Sequence, residues 1–85
     1  MNQPERNDVQ SMSLIAVEPN RSVIITDVSG GHGLKSRLAA MGLVKGQQVE
    51  VLRNNRGGPV VISVMGSRLM MGRGMAHKII VQPAE

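Results

Sequence analysis

The chain of 85 residues carries ten Lys or Arg against six Asp or Glu, a net charge of +4, and contains no cysteine and no aromatic residue. The lack of cysteine excludes disulfides and thiolate metal sites. The lack of Phe, Trp and Tyr argues against a single-strand nucleic-acid reader, which stacks bases on aromatic side chains. No apolar run is long enough for a signal peptide or a membrane span, so we expect a small cytoplasmic domain. Because aromatic residues are absent, we also expect that this domain binds no nucleic acid.

The first predicted elements are a leader and a strand. Residues 1–12 are polar and without period, which predicts a flexible N-terminal leader ahead of one domain at residues 13–85. Pro19 and Asn20 form a turn pair, and the β-branched run from Val23 to Val28 follows it. Such a run bounded by turn residues predicts the first strand.

A short helix is predicted next, because the apolar period changes after residue 33. Leu34, Leu38 and Met41 recur at i, i+4 and i+7, which is one stripe of a helix. Gly42 fits a left-handed cap at the end of this helix, and Leu43 beyond it can pack back onto Leu38. The pattern therefore predicts a helix of about two turns with a glycine-terminated end.

The second half of the chain is predicted to be mostly strand. Gln47 to Met65 reads as a hairpin around the turn-forming run NNRGGP, and GSRLMMG gives a short strand. GRGMAHK predicts a tight helical turn, and KIIVQP a last strand that Pro83 ends. Five short strands, one helix after the first strand and a helical turn before the last predict a mainly β fold, a small five-stranded barrel.

The stretch SGGHGLKSR, Ser29 to Arg37, is the first candidate for chemistry. A phosphate-binding loop needs glycine just before its Lys-Ser pair, but Leu34 stands before Lys35 and Ser36. No parallel βαβ unit fits in the chain to support a dinucleotide site. We therefore interpret the stretch as a strand-to-helix connection whose glycines allow unusual backbone angles.

Two histidines, His32 and His77, are the candidate metal ligands. Neutral imidazoles with a carboxylate such as Asp27 or Glu50 suit Zn²⁺ or Fe²⁺. No His-x-x-x-His spacing supports a preorganised site, so surface histidines are the favoured interpretation and a transition-metal site stays an alternative. No cofactor is required by the sequence, and no nucleophile has a recognisable base beside it, so we predict that the chain is not an enzyme.

Two segments resemble the FeoA family, ferrous iron transport protein A. They are GLKSRLAAMGLVKGQQVEVLR and GSRLMMGRGMAHKIIVQP, and the resemblance spans residues 13–83. It implies an SH3-like β-barrel fold. It also implies a small cytoplasmic accessory to FeoB, a membrane transporter of ferrous iron with a GTPase domain, reached at the inner face of the membrane and bound by protein contact.

The resemblance also implies a partner surface. Arg37, Leu38, Met41 and Leu43 fall on the family's helix motif, whose exposed part we expect to contact the transporter. Met70 lies on the opposite strand face from Leu69 and would add an adaptable apolar patch if that face is open. The predicted partner-binding residues are therefore Arg37, Leu38, Met41, Leu43 and Met70.

Three alternatives stay open beside this interpretation. The SH3-like domain also resembles the C-terminal domain of iron-dependent repressors, which suggests a metal-responsive regulatory module using zinc or ferrous iron. The basic isoelectric point of about 10.8 suggests a nucleic-acid-binding barrel, which is less favoured than the metal-responsive module. Exposed strand edges would allow a weak homo-oligomer.

Overall fold

Six antiparallel strands form one sheet in the computed structural model, which describes residues 11–84. The strand order across the sheet is β1-β6-β2-β3-β4-β5. A short 3₁₀ segment, Leu14–Ala16, follows β1, and two helices interrupt the strands, α1 (His32–Ala40) and α2 (Arg73–His77). The strands are β1 (Met12–Ser13), β2 (Arg21–Val28), β3 (Gln48–Asn54), β4 (Val60–Val64), β5 (Ser67–Met71) and β6 (Ile79–Pro83).

The predicted fold class is confirmed, with two differences in detail. The two-residue strand β1 was not predicted, and it pairs with β6 through Met12 opposite Val81 and Ser13 opposite Ile80. Met12 therefore belongs to the sheet and not to the predicted leader, of which residues 1–10 lie outside the described residues. The sheet is also open, because β1 and β5 end it without pairing to each other.

The core consists of aliphatic side chains that alternate along the strands. Val23 and Ile25 of β2 and Val49 and Val51 of β3 are all buried, while their neighbours in sequence are more exposed. This period of two is the predicted one, and it buries one face of each strand. Within residues 11–84 no polar or charged residue is buried.

The end of α1 has the predicted glycine-terminated geometry. The Leu43 N–H donates to the Leu38 carbonyl at 2.9 Å and the Gly42 N–H to the Ala39 carbonyl at 3.0 Å, which is the Schellman pattern. Gly42 has φ +85°, a left-handed angle that glycine adopts without the Cβ clash of other residues. Leu38 and Leu43 then pack into the core at 0% and 1% exposure, which fixes α1 against the sheet.

The turn between β4 and β5 is tighter than predicted. Met65 has φ +51° and Gly66 has φ +81°, which is a two-residue turn of type I′. Met65 thus lies in the turn and not at the end of the predicted strand, and its side chain is 76% exposed. This turn fixes the register of β4 against β5, with Val64 opposite Ser67.

Candidate functional site

An exposed apolar surface lies at the C-terminal end of α1. Met41, Val44 and Met65 are exposed by 41%, 43% and 76%, and we call these three residues the α1-end patch. Met41 and Met65 line one open cleft together with Ala39, and Val44 lines a second cleft that Ala39 also lines. Exposed large apolar side chains grouped in this way make the α1-end patch a candidate for a surface that another molecule covers.

The glycine that ends α1 lies beside this patch. Met41 is the residue at which α1 ends, and its side chain is exposed instead of continuing the stripe of Leu34 and Leu38, while Gly42 reverses the chain directly after it. The Met65 Sδ atom lies 3.1 Å from the position that a Cβ at residue 42 would occupy. A side chain at residue 42 would therefore strain the helix end and displace Met65.

Basic side chains surround the α1-end patch. Arg37 is exposed one helical turn before Met41, and Lys35 and Lys45 line the cleft that contains Val44. Asp27 of β2 adds one carboxylate to the same cleft, and its Oδ1 atom accepts the Val28 N–H at 2.8 Å. No Asp or Glu occurs between residues 28 and 49. The patch therefore combines flexible apolar side chains with a mainly basic border, in which Asp27 is the one acidic side chain lining the Val44 cleft.

A second exposed surface lies on β5. Met70 is 72% exposed and lines an open cleft with Arg53, Arg68, Leu52 and Val61 on the outer face of β3, β4 and β5. The predicted alternation on β5 is confirmed, because Met71 is buried at 6% exposure and Met70 faces the other way. Met70 therefore lies on the opposite face of β5 from Leu69, which lines the cleft of the α1-end patch.

The predicted partner-binding residues divide into exposed and buried ones. Arg37, Met41 and Met70 are exposed and stay predicted contact residues. Leu38 and Leu43 are corrected to core residues, because their exposures of 0% and 1% leave no surface for a partner to touch. Their part in the site is to hold α1 in place beneath the exposed residues.

The two histidines lie at helix ends. His32 is the first residue of α1 and His77 the last of α2, and both are exposed. Within residues 11–84 no group of three or more His, Cys, Asp or Glu side chains is placed to hold a metal ion. A metal at His32 or His77 stays a prediction that rests on the residue type alone.

One polar cluster was missed by the sequence analysis. The Asn54 Nδ2 atom donates to the carbonyls of Ile15 and Val17, both at 2.8 Å, and the Asn54 Oδ1 atom accepts from Arg73 Nη1 at 2.9 Å. Arg73 Nη1 also donates to the Asn55 carbonyl at 2.9 Å. The cluster joins the 3₁₀ segment, the end of β3 and α2, so its role is to brace the fold.

Comparisons with known proteins agree with this architecture. The FeoA domain profile matches residues 12–83. A curated protein of Methanocaldococcus jannaschii, named as an Fe(2+) transport protein A, is 40% identical over 72 residues, which are 85% of this chain and 87% of that protein. No helix within the described residues is long and apolar enough to cross a membrane.

Solved structures show the same fold. The crystal structure of an iron uptake regulatory protein (FeoA) superposes with a TM-score of 0.80 at 33% identity, covering 85% of this chain and 96% of that one. The T. acidophilum IdeR structure shares the fold at a TM-score of 0.77 and 18% identity, with 93% of this chain matching 37% of that longer chain. The profile match over nearly all of the described residues and the 40% identical relative show that the chain belongs to the FeoA family.

Proposed function

We propose that this protein is an accessory of ferrous iron uptake that acts by binding the cytoplasmic part of a FeoB-type GTPase transporter. Membership of the family and the Fe(2+) transport name of the curated relative support the link to ferrous iron. The observation that carries the proposal is the α1-end patch, where Met41 and Val44 after α1 and Met65 in the β4–β5 turn are exposed. A surface of this kind gains free energy when a partner removes it from water.

The composition of the patch suits protein contact. Methionine side chains have three rotatable bonds and a polarizable thioether, so Met41 and Met65 adapt to the shape of a partner. Arg37 and Lys45 beside them would attract an acidic surface and orient it during encounter. In this function the chain acts on the transporter by binding to it. This action requires neither a catalytic residue nor a bound cofactor.

The double variant Arg37→Glu with Met41→Gln tests the patch in cells. Both side chains are exposed and neither belongs to the core, so the fold should survive. Loss of an apolar anchor and reversal of a flanking charge together weaken a protein interface by about 30-fold or more. The variant would be expressed in cells that lack their own copy of the protein. We expect these cells to take up radioactive ferrous iron no faster than cells that carry no copy at all.

Arg56→Glu is the matched control for charge. Arg56 is exposed in the β3–β4 loop and lines neither cleft of the α1-end patch. Uptake should stay at the wild-type level in this variant, and circular dichroism should show that both variants are folded. Normal uptake with the folded double variant would show that the α1-end patch is not the contact surface.

A further inference from the structure

One strand of the sheet has an unpaired edge. β5 ends the sheet and pairs only with β4. In an antiparallel pair joined by a two-residue turn, the residues beside the turn exchange both backbone hydrogen bonds, and every second pair after them does the same. Val64 and Ser67 flank the turn, so Ser67, Leu69 and Met71 bond to β4.

The remaining residues of β5 direct their backbone groups away from the sheet. By this alternation the N–H and C=O groups of Arg68 and Met70 point to the free edge. No backbone hydrogen bond outside the strands involves either residue within residues 11–84. Arg68 is exposed and Met70 is 72% exposed, so an incoming chain can reach these four groups.

We propose that the free edge of β5 binds an extended, acidic segment of a protein partner by strand addition. The added segment would become a seventh strand and would pair with the backbone of Arg68 and Met70, a recognised mode of peptide binding. The inference rests on the proposed function in one respect, that the chain acts by contact with a partner. It adds a second contact surface and states the chemistry of the segment that fits it.

The side chains around the edge define that chemistry. Met70 lies opposite Val61 on the outer face, which offers an apolar contact to one side chain of the added strand. Arg68 and Arg53 line the same cleft and would pair with carboxylates. Side chains on one face of a strand recur every second residue, so the matching segment has an acidic and an apolar residue separated by one position.

Charge also argues against a second copy of this chain as the occupant. Pairing two β5 edges would bring both Arg68 side chains to one outer face on facing strands, and like charges placed in this way destabilise the pairing. Glu50 lies in the same row as Arg68, but it is two strands away with Ser63 between them. Residues 11–84 contain nine Lys or Arg and three Asp or Glu, which favours an acidic partner over another basic chain.

A synthetic peptide tests the edge without any transporter. The probe is the capped peptide Thr-Glu-Thr-Ile-Thr-Glu-Thr, added to the ¹⁵N-labelled full chain. Concentrations up to about 5 mM allow a dissociation constant in the millimolar range to be detected. We expect saturable shifts of the backbone amides of residues 67–71 and slower hydrogen exchange at Arg68 and Met70. A peptide with lysine in place of both glutamates should bind at least about tenfold more weakly, because its charges meet Arg68 and Arg53.

Two N-methylated peptides separate strand addition from a simple charge contact. A strand that joins an edge uses only every second N–H group for that edge. Methylating one alternate set of peptide nitrogens should therefore abolish binding, and methylating the other set should leave it within about twofold. Equal binding of both methylated peptides would overturn the proposal, as would unchanged spectra of residues 67–71 at the highest concentration.

The two proposals can fail separately. Specific binding of the acidic peptide at β5 combined with normal iron uptake by the Arg37→Glu, Met41→Gln variant would contradict the proposed role of the α1-end patch and leave the β5 edge standing. Loss of uptake in that variant combined with no peptide binding would overturn only the proposal that the β5 edge binds a partner segment. Shifts confined to the α1-end patch on addition of the peptide would also overturn it.

Discussion

Leu38→Ala is expected to lower the free energy of unfolding by about 3 kcal/mol, as for other fully buried leucines. The Leu38 side chain is 0% exposed and fills the interface between α1 and the sheet. Its carbonyl also accepts the Leu43 N–H that closes the helix end, so a shift of α1 into the cavity would disturb that bond as well. Domains of this size have a total stability near 5 kcal/mol, so urea unfolding should show a much lower midpoint.

Two further variants make this prediction specific to burial. Met41→Ala removes a side chain of similar size from the same helix end, but it is 41% exposed, so we expect a loss below about 1 kcal/mol. Leu38→Met keeps the buried volume and should cost less than about 1.5 kcal/mol. Equal losses for Leu38→Ala and Met41→Ala would contradict the placement of Leu38 in the core.

Asn54→Ala is expected to lower the free energy of unfolding by about 2 kcal/mol. The substitution removes the two hydrogen bonds to the carbonyls of Ile15 and Val17 and the acceptor for Arg73. It leaves partly buried carbonyls without a donor, and each unmet polar group costs about 1–3 kcal/mol when water cannot reach it. The 3₁₀ segment and α2 should become more mobile, which faster amide hydrogen exchange in residues 14–17 and 73–77 would report.

The neighbouring residue provides the control for Asn54. Asn55 has the same side chain but is exposed, and only its backbone carbonyl contacts Arg73. Asn55→Ala should therefore change the stability by less than about 0.5 kcal/mol. If Asn54→Ala and Asn55→Ala behave alike in urea unfolding, the cluster of Asn54 and Arg73 does not brace the fold.

The local features of this fold could be predicted from the sequence because their physical causes are local. Gly42 followed by Leu43 predicts the end of α1, since the left-handed angle and the returning leucine lie next to each other in the chain. The alternation of Val49 and Val51 predicts which face of β3 is buried. The prediction that Leu34, Leu38 and Met41 form one helical stripe was wrong only at Met41, because the helix already ends at that residue.

The long-range features could not be predicted from local pattern. Asn54 bonds to residues 37 and 39 positions earlier and to Arg73, 19 positions later, and none of these separations has a sequence signal. The strand β1 exists only because its two residues pair with β6, 67 or more positions away. Propensity over two residues is too short to indicate a strand.

The candidate site could also be predicted only in part, because the sequence shows the residue types but not where the fold places them. The motif containing Arg37, Leu38 and Leu43 was predicted as the partner surface, yet apolar periodicity alone does not tell which leucines face the sheet. The free edge of β5 depends on the strand order, which the sequence does not display. Met41 and Met70 were predicted as contact residues and are exposed, whereas Met65 was predicted to end a strand and its 76% exposure in the β4–β5 turn was not expected.

Direct binding to the transporter tests the central claim most directly. The full chain would be titrated against the purified cytoplasmic GTPase part of a FeoB-type transporter, with GDP and with a GTP analogue, at two salt concentrations. We predict saturable binding that weakens as salt rises, because Arg37 and Lys45 steer the encounter, and at least about 30-fold weaker binding of the Arg37→Glu, Met41→Gln variant. No binding in either nucleotide state, repeated with the full-length transporter in detergent, would contradict the claim that this protein acts by contact with it.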